Sequence, residues 1–338
     1  MNILLIGPTY MDLYKDIINE LGRLGHVVDF IKERHSKNDP LNIRREYTIT
    51  KRHSDRQKKE YWKKYLLSPQ YNKIYDLLIV IDGQGLHPYL FDILKVRNSG
   101  IVCVNYLFDT IKGVYRFDKF FGYFDKVFTF DLSESKKFNI LFLPIYWCPD
   151  DAHHEEKYDL FGFGAYTPSR FAVYEHFYNG LKDRPVYIKL FAIVKCKEWF
   201  HELKRKIRGV LGLIQYIPIK DYHSPIICHE TIKPKEFREL IYCSRVVLDT
   251  NPPHQDGLTA RFMWALGAKK KIITTNSSVL NYDFFTNEQI LIVDKDGLFK
   301  LNEVLKFIDA NLYLSQSTIN EIDKYRIDNW LKTICPSL

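Results

Sequence analysis

"NILLIGPTYMDLYKDIINELGRLGHVVDFI", residues 2–31, decides the fold. "NILLIG" (2–7) is a short, almost wholly apolar run and reads as a buried strand. "MDLYKDIINELGRLG" (11–25) spaces its apolar residues as a helix does and stops at Gly25, and "HVVDFI" (26–31) is the next strand. Strand, helix, strand in that order is a βαβ unit, the building block of a parallel sheet covered by helices.

The same alternation continues along the chain. "YDLLIVIDG" (75–83), "GIVCVNYLFD" (100–109), "FDKVFTFD" (124–131) and "ILFLP" (140–144) are apolar on both faces, as strands are when helices cover both sides of a sheet. The polar stretch "CPDDAHHEEKYD" (148–159) breaks the pattern and reads as a linker, so His153, His154, Glu155 and Glu156 read as connector residues rather than metal ligands. A second series follows: "YDLFGFG" (158–164), "PVYIKLFA" (185–192), "RVVLDT" (245–250), "KIITTN" (271–276) and "ILIVDKDG" (290–297). Two doubly wound, Rossmann-like α/β domains facing a cleft are expected, residues 1–150 and 156–316, with residues 317–338 a helix packing back on the first. In such sheets ligands sit beyond the carboxyl ends of the strands.

Composition is consistent with this. The 338 residues are 46% hydrophobic and 15% aromatic, enough for two cores. No apolar run is long enough to span a bilayer, and "MNILLIGPTY" lacks a basic segment or cleavage site, so a cytoplasmic location is expected. The six cysteines are scattered without Cys-x-x-Cys spacing and read as reduced thiols. The formal charge is +8, and residues 34–73 carry that whole excess, twelve Lys or Arg against four Asp or Glu. This basic insertion, with Arg52, Lys58, Lys59, Lys63 and Lys64 beside Tyr61, Trp62 and Tyr65, reads either as a solvated helix and loop or as a surface for something anionic, a membrane or a nucleic acid. "KEWFHELKRKIRGVLGLIQY" (197–216) is a second basic, amphipathic stretch.

The stretch "NPPHQDGLTARFMWALGAKKKIITTN" (251–276) carries the chemistry. It is a loop at a strand's carboxyl end, then a helix starting near Gly257 or Leu258, then a strand. A helix start offers unpaired N–H groups and partial positive charge, both suited to phosphate. Arg261 in its first turn is placed to clamp a diphosphate and Gly257 to let a ligand approach the backbone; a capped helix with a surface arginine is the plain alternative.

"DGLTARFMWALGAKKKIITTN", "NYDFF" (281–285), "YDLFGFGAYTPSR" (158–170), "YDLLIVIDGQGL" (75–86), "VNYLFDTIKG" (104–113) and "FDKVFTFD" together resemble the GT-B glycosyltransferases of bacterial lipopolysaccharide and capsule biosynthesis, over nearly the whole chain. The resemblance implies twin Rossmann-like domains, a nucleotide-sugar donor held by the second, a glycan or lipid-linked glycan acceptor on the first, and no cofactor or essential metal. With an acceptor carried on lipid, the clustered Lys and Arg of the basic insertion then point to a protein peripheral to the inner face of the plasma membrane, with an anionic membrane surface as partner and no nucleic acid. Gly164, Tyr166, Arg170, Asn251, His254, Gly257, Thr259 and Arg261 are then the expected donor-binding residues, although Tyr166 also suits a packed loop aromatic. Two residues depart from the family pattern: Trp264 stands where relatives carry a Glu that accepts from the donor ribose, and Lys269 where they carry Gly. An indole N–H only donates, so Trp264 cannot take over that contact.

An inverting transfer needs a base near the acceptor hydroxyl, and carboxylates at strand ends are the candidates: Asp109 first, Asp12 second, Asp82 third, each also suited to capping a helix. "DKD" (294–296) ends a strand and runs into Gly297, which reads as a turn rather than a manganese site. A nicotinamide oxidoreductase is disfavoured because "IGPTYMD" lacks Gly-x-Gly-x-x-Gly. A nucleotide-sugar epimerase of GT-B shape and a non-enzymatic binder of nucleic acid or anionic surfaces remain as alternatives.

Overall fold

The structure is a computed structural model that describes residues 1–33, 51–83, 85–111, 117–150, 152–192, 207, 224–252, 255–294 and 299–336. The chain divides into two compact units: Met1–Tyr146 with Gln255–Gly257 and Tyr325–Leu338, and Trp147–His254 with Leu258–Lys324.

The first unit is built on β1 (Asn2–Gly7), β2 (Val27–Lys32), β3 (Leu77–Ile81), β4 (Val102–Leu107), β5 (Lys126–Thr129) and β6 (Leu141–Phe142), all parallel, in the order β2-β1-β3-β4-β5-β6. The central strands are the most apolar: every residue of β3 is buried, as is all of β1 after Asn2. Helix α1 (Leu13–Arg23) buries Leu13, Ile17 and Leu21, one face at i, i+4, i+8, and ends as Gly25 takes a φ of +85°.

The basic segment has a buried face that its composition does not suggest. Its helix, α2 (Lys51–Leu66), is the crossover between β2 and β3, packed on α3 (Pro88–Arg97). Trp62 is fully buried with its indole N–H donating to the Gly85 carbonyl, and the Tyr61 hydroxyl donates to the Lys32 carbonyl. Tyr61 and Trp62 are therefore core residues, not interfacial anchors, because strands on opposite sides of β1 need a covering helix between them. Lys59, Lys63 and Lys64 stay on the exposed face and Lys58 is half-buried, whereas the side chain of Arg52 and residues 34–50 lie outside what is described, as does most of the second basic stretch. Among the described residues no helix is long and apolar enough to cross a membrane.

The second unit holds β7 (Tyr158–Ala165), β8 (Val186–Phe191), β9 (Ile227–Cys228), β10 (Ser244–Asp249), β11 (Lys271–Thr274) and β12 (Ile290–Ile292), parallel, in the order β12-β11-β10-β7-β8-β9. Renumbered from its own first strand, this is the 3-2-1-4-5-6 order of nucleotide-binding Rossmann sheets, while the first unit begins with the 2-1-3-4-5 order of flavodoxin-like sheets. Its described helices are α5 (Pro168–Gly180), α6 (Pro234–Tyr242), α7 (Ala260–Gly267), α8 (Leu301–Asp309) and α9 (Gln316–Asp323). One face of the sheet packs Leu160, Ile188 and Leu248 against Tyr174 and Phe177 of α5 and Val304 and Ile308 of α8.

The last helix, α10 (Ile327–Ile334), belongs to the first unit. Trp330 is fully buried there among Tyr106, Phe108 and Tyr146, with ring centroids 4.7, 6.3 and 4.9 Å away, and its N–H donates to the Pro144 carbonyl at 3.0 Å.

Candidate functional site

In doubly wound sheets the chain leaves the central strand in one direction and later returns to extend the sheet in the other, which opens a crevice beyond the strand ends. That switch point falls between β1 and β3 in the first unit and between β7 and β10 in the second. Most of the described candidate residues lie at one or the other.

Two guanidinium groups tie the β7 and β10 ends together. Arg170, in the first turn of α5, donates Nε to the Thr250 hydroxyl (2.8 Å), Nη1 to the Ala165 carbonyl (2.6 Å) and Nη2 to the Thr250 carbonyl (3.2 Å). Gly164 leaves room for it, since a Cβ there would lie 3.2 Å from the Arg170 Cδ. Arg261 is buried. It donates Nε and Nη2 to Asp249 Oδ1 (3.1 and 2.8 Å), Nη2 to the Thr250 carbonyl (3.3 Å) and Nη1 to the Phe163 carbonyl. Asp249, completely buried at the end of β10, also accepts from the Thr259 hydroxyl at 2.6 Å and the Thr274 hydroxyl at 3.4 Å.

Helix α7 starts at Ala260, later than the sequence predicts, because Thr259 is the N-cap: its hydroxyl oxygen accepts the Phe262 N–H at 3.1 Å. Gly257 is closely packed. A Cβ there would lie 2.5 Å from the Phe130 ring and 2.8 Å from the Phe130 carbonyl, so the missing side chain makes room for Phe130; its N–H donates to Asp131 Oδ2 at 3.0 Å. Tyr166 is buried in the second unit's core, 5.8 Å from the Phe171 ring, and takes the packed-aromatic alternative. The Asn251 carboxamide oxygen is 3.4 Å from the Thr275 hydroxyl, and His254 lies outside the described residues.

The two positions that depart from the pattern the sequence resembles have different physical characters. Trp264 is 7% exposed, edge-on to Phe237 (5.8 Å) and beneath the Arg238 guanidinium (4.7 Å), so position 264 holds a packed indole instead of an acceptor. Lys269 has a φ of +54°. Its N–H donates to the Leu266 carbonyl and that of Lys270 to the Ala265 carbonyl, a Schellman ending whose left-handed residue is ordinarily Gly.

At the first unit's switch point the backbone is strained. Of the seven described residues with positive φ, Gly25, Asn139 and Lys269 end helices; the other four, Met11, Asp12, Asp82 and Gly83, follow β1 and β3. Such conformations persist only where the surroundings hold them and cluster at functional sites. Asp12 (φ +57°) is partly exposed and accepts from Lys15 Nζ at 2.9 Å. Asp82 (φ +59°) is buried, and its Oδ1 accepts the N–H groups of Phe108 (2.8 Å) and Asp109 (3.1 Å), so the third candidate base is spent on backbone. Asp109 is exposed at the end of β4, with Oδ1 on the Thr110 N–H at 2.8 Å.

Three carboxylates here were not legible in the sequence. Buried Glu33 accepts the Gly83 N–H at 2.6 Å. Asp131 caps α4 (Leu132–Phe138) through the Glu134 N–H at 3.0 Å. Glu134 looks like the partner in a capping box with Asp131, yet its two oxygens accept the Ile111 N–H instead, at 2.9 and 3.1 Å, and burial pushes its carboxyl above the usual range. Among the described residues no group of three His, Cys, Asp or Glu side chains is placed to hold a metal, and the Asp294-to-Asp296 motif lies partly outside them.

No protein-family profile matches the chain, and no curated protein matches it in sequence. Solved structures match its fold. An α,α-trehalose-phosphate synthase (UDP-forming) from Burkholderia xenovorans, in complex with glucose-6-phosphate, is 11% identical with a TM-score of 0.58, covering 100% of this chain and 99% of that one. An E. coli trehalose-6-phosphate protein bound with UDP-2-fluoro glucose is 12% identical with a TM-score of 0.56, over 100% and 98%. The N-terminal domain of Candida albicans trehalose-6-phosphate phosphatase is 11% identical with a TM-score of 0.54, over 99% and 96%. At these identities the likeness is one of fold: two Rossmann-like units of parallel sheet flanked by helices, the GT-B pattern.

Proposed function

We propose that the chain is a glycosyltransferase that moves a sugar from a nucleotide-sugar to a growing surface glycan, carried on lipid at an anionic membrane face. The observation that carries the reading is the pair Arg170 and Arg261 beside the start of α7, at the switch point of the sheet whose strand order is the nucleotide-binding one. Solved structures of similar fold include one in complex with glucose-6-phosphate and one bound with UDP-2-fluoro glucose, which supports a donor of this class.

Glycosyl transfer leaves negative charge on the departing diphosphate, and a helix start with cationic side chains stabilises it without a metal. Arg261 is occupied by Asp249, so its part is to hold the β10 end in place, and Arg170, half-buried, is the guanidinium that meets the diphosphate. With Trp264 packed against Phe237, the donor ribose is held by other groups than the family's Glu. In an inverting course the acceptor oxygen attacks the anomeric carbon as the bond to the diphosphate breaks, and Asp109 takes the acceptor proton. The exposed lysines of α2 supply attraction to the membrane face.

The test is a thermal-shift panel of UDP-, GDP- and dTDP-sugars. A donor at 100 times its dissociation constant stabilises the folded chain by about 2.7 kcal/mol. No stabilisation by any member would sink the reading; conversion of a stabilising sugar nucleotide with no acceptor present would mark an epimerase. Transfer in excess chelator is expected, and rescue by manganese would restore a metal to the mechanism.

A further inference from the structure

The loop after β4 is held in an unusual way. Its four consecutive N–H groups, Phe108 to Ile111, all donate to carboxylates: the first two to Asp82, the third to Asp109 itself, the fourth to both oxygens of Glu134. Asp82 is buried, Glu134 half-buried, and Asp109 between them exposed. Burying a carboxylate is costly unless several hydrogen bonds satisfy it, and a plain strand-to-loop connection needs neither of these two.

The Asp82 end is fixed more firmly still. Its left-handed backbone, followed by Gly83 at φ +105°, is braced by three hydrogen bonds. The Asp82 N–H donates to the Tyr106 carbonyl at 2.9 Å, the Asn105 amide donates to the Asp82 carbonyl at 3.1 Å and the Val80 carbonyl at 3.0 Å, and the Gly83 N–H is held by Glu33. Conformational strain, two sequestered carboxylates and a buried asparagine all bear on four residues whose one exposed acid is Asp109.

We propose that Asp82 and Glu134 are positioning residues for Asp109: they clamp the backbone on either side of it so that its carboxylate meets the acceptor hydroxyl at a fixed distance and angle. The proposal rests on Asp109 being the base. A misplacement of about 1 Å in such a group costs on the order of 10²-fold in rate, which is what the clamp prevents.

The experiment uses the full chain and the panel sugar nucleotide that stabilises it most, with water as the acceptor of the sugar and nucleoside diphosphate release as the rate. Asp109→Asn is made first; turnover near the wild-type rate there removes the base assignment itself, separately from the clamp. With that loss established, Asp82→Ala is expected to lower kcat by about 10- to 100-fold while leaving the donor KM within about twofold. Asp82→Asn, which keeps an acceptor oxygen for both N–H groups, is expected to recover most of the rate. Amide exchange at Phe108 and Asp109 quickens in Asp82→Ala and not in Asp82→Asn. In the Asp109→Asn background Asp82→Ala adds less than about twofold, because the two act as one unit. If Asp82→Ala does not fold, Glu134→Ala against Glu134→Gln gives the same comparison with exchange read at Ile111. Wild-type kcat in the alanine variants, or a full additional loss in the Asp109→Asn background, overturns the proposal.

Discussion

Arg261 and Asp249 form a buried ion pair, with Nη2 2.8 Å from Oδ1, the arginine 8% exposed and the aspartate 0%. Removing one member of such a pair strands the other charge in a dry interior. Arg261→Ala is therefore expected to destabilise the chain by about 3–5 kcal/mol in urea titration, and Arg261→Lys by less, since it keeps the charge but not the fork. A loss under about 1 kcal/mol would show that the Thr259 and Thr274 hydroxyls satisfy the carboxylate unaided.

Arg170 should behave differently. Its Nε–H donates to the Thr250 hydroxyl at the half-buried end of the β7–β10 seam. Arg170→Ala is expected to weaken binding of the stabilising sugar nucleotide by about 1.5–3 kcal/mol in calorimetry, the range for a charged hydrogen-bonding partner, while stability falls less than in Arg261→Ala. Unchanged affinity removes Arg170 from the donor site.

At Lys269 the prediction is a gain. A φ of +54° costs an L side chain about 1–2 kcal/mol, of which glycine recovers part after its larger unfolded-state entropy is charged against it. Lys269→Gly should raise stability by about 0.5–1 kcal/mol without altering activity. A destabilised glycine variant would mean that the lysine side chain makes a compensating contact.

Glu134 supplies a pH signature. Burial raises its folded-state pKa above the ordinary value of 4.5, with the charges of Asp131 and Asp109 adding to this and the Ile111 N–H opposing it. A carboxyl raised in the folded state contributes stability fully present below the unfolded pKa and lost as pH rises through the folded pKa. Wild type should therefore lose ground relative to Glu134→Gln as pH is raised from about 4 toward 7. A stability difference that stays flat over that window removes the burial argument.

For α2 the structure narrows the expectation. With Tyr61 and Trp62 buried, attraction to anionic vesicles falls to the exposed Arg56, Lys59, Lys63 and Lys64, each worth about 1 kcal/mol near the surface and screened by salt. Pelleting with phosphatidylserine vesicles at low salt should be lost when Lys59, Lys63 and Lys64 become Glu, and lost for wild type as salt rises. Indifference of wild type to such vesicles ends the membrane assignment.

Why some of this was legible in the sequence and some was not has a common physical origin. Strands β1, β3 and β4 are nearly continuous apolar runs because both faces are covered, and that signal is local. β9, two residues long, has no pattern to read. The roles of Arg261 and Glu134 depend on strands that are neighbours in space only: Phe163 and Asp249 meet because β10 lies beside β7, and Ile111 is 23 residues from the carboxylate that holds it. A capping-box pattern at Asp131 and Glu134 reports only the local half of that arrangement. The buried face of α2 was hidden for a different reason: its buried residues are few and its lysines many, so its composition reads as surface.

Trp330 closes the first unit's core from the far end of the chain, and this sets an order of events during synthesis. Strands β1 to β6 emerge first, but the hollow beside Tyr106, Phe108 and Tyr146 stays unfilled while the whole of Trp147–Lys324 is made. At translation rates of 5–20 residues per second that wait is on the order of 10–40 s. The nascent first unit therefore presents an open aromatic face for that time, a surface on which a holdase chaperone has time to act, and its core is completed only after residues 147–324 have been synthesised.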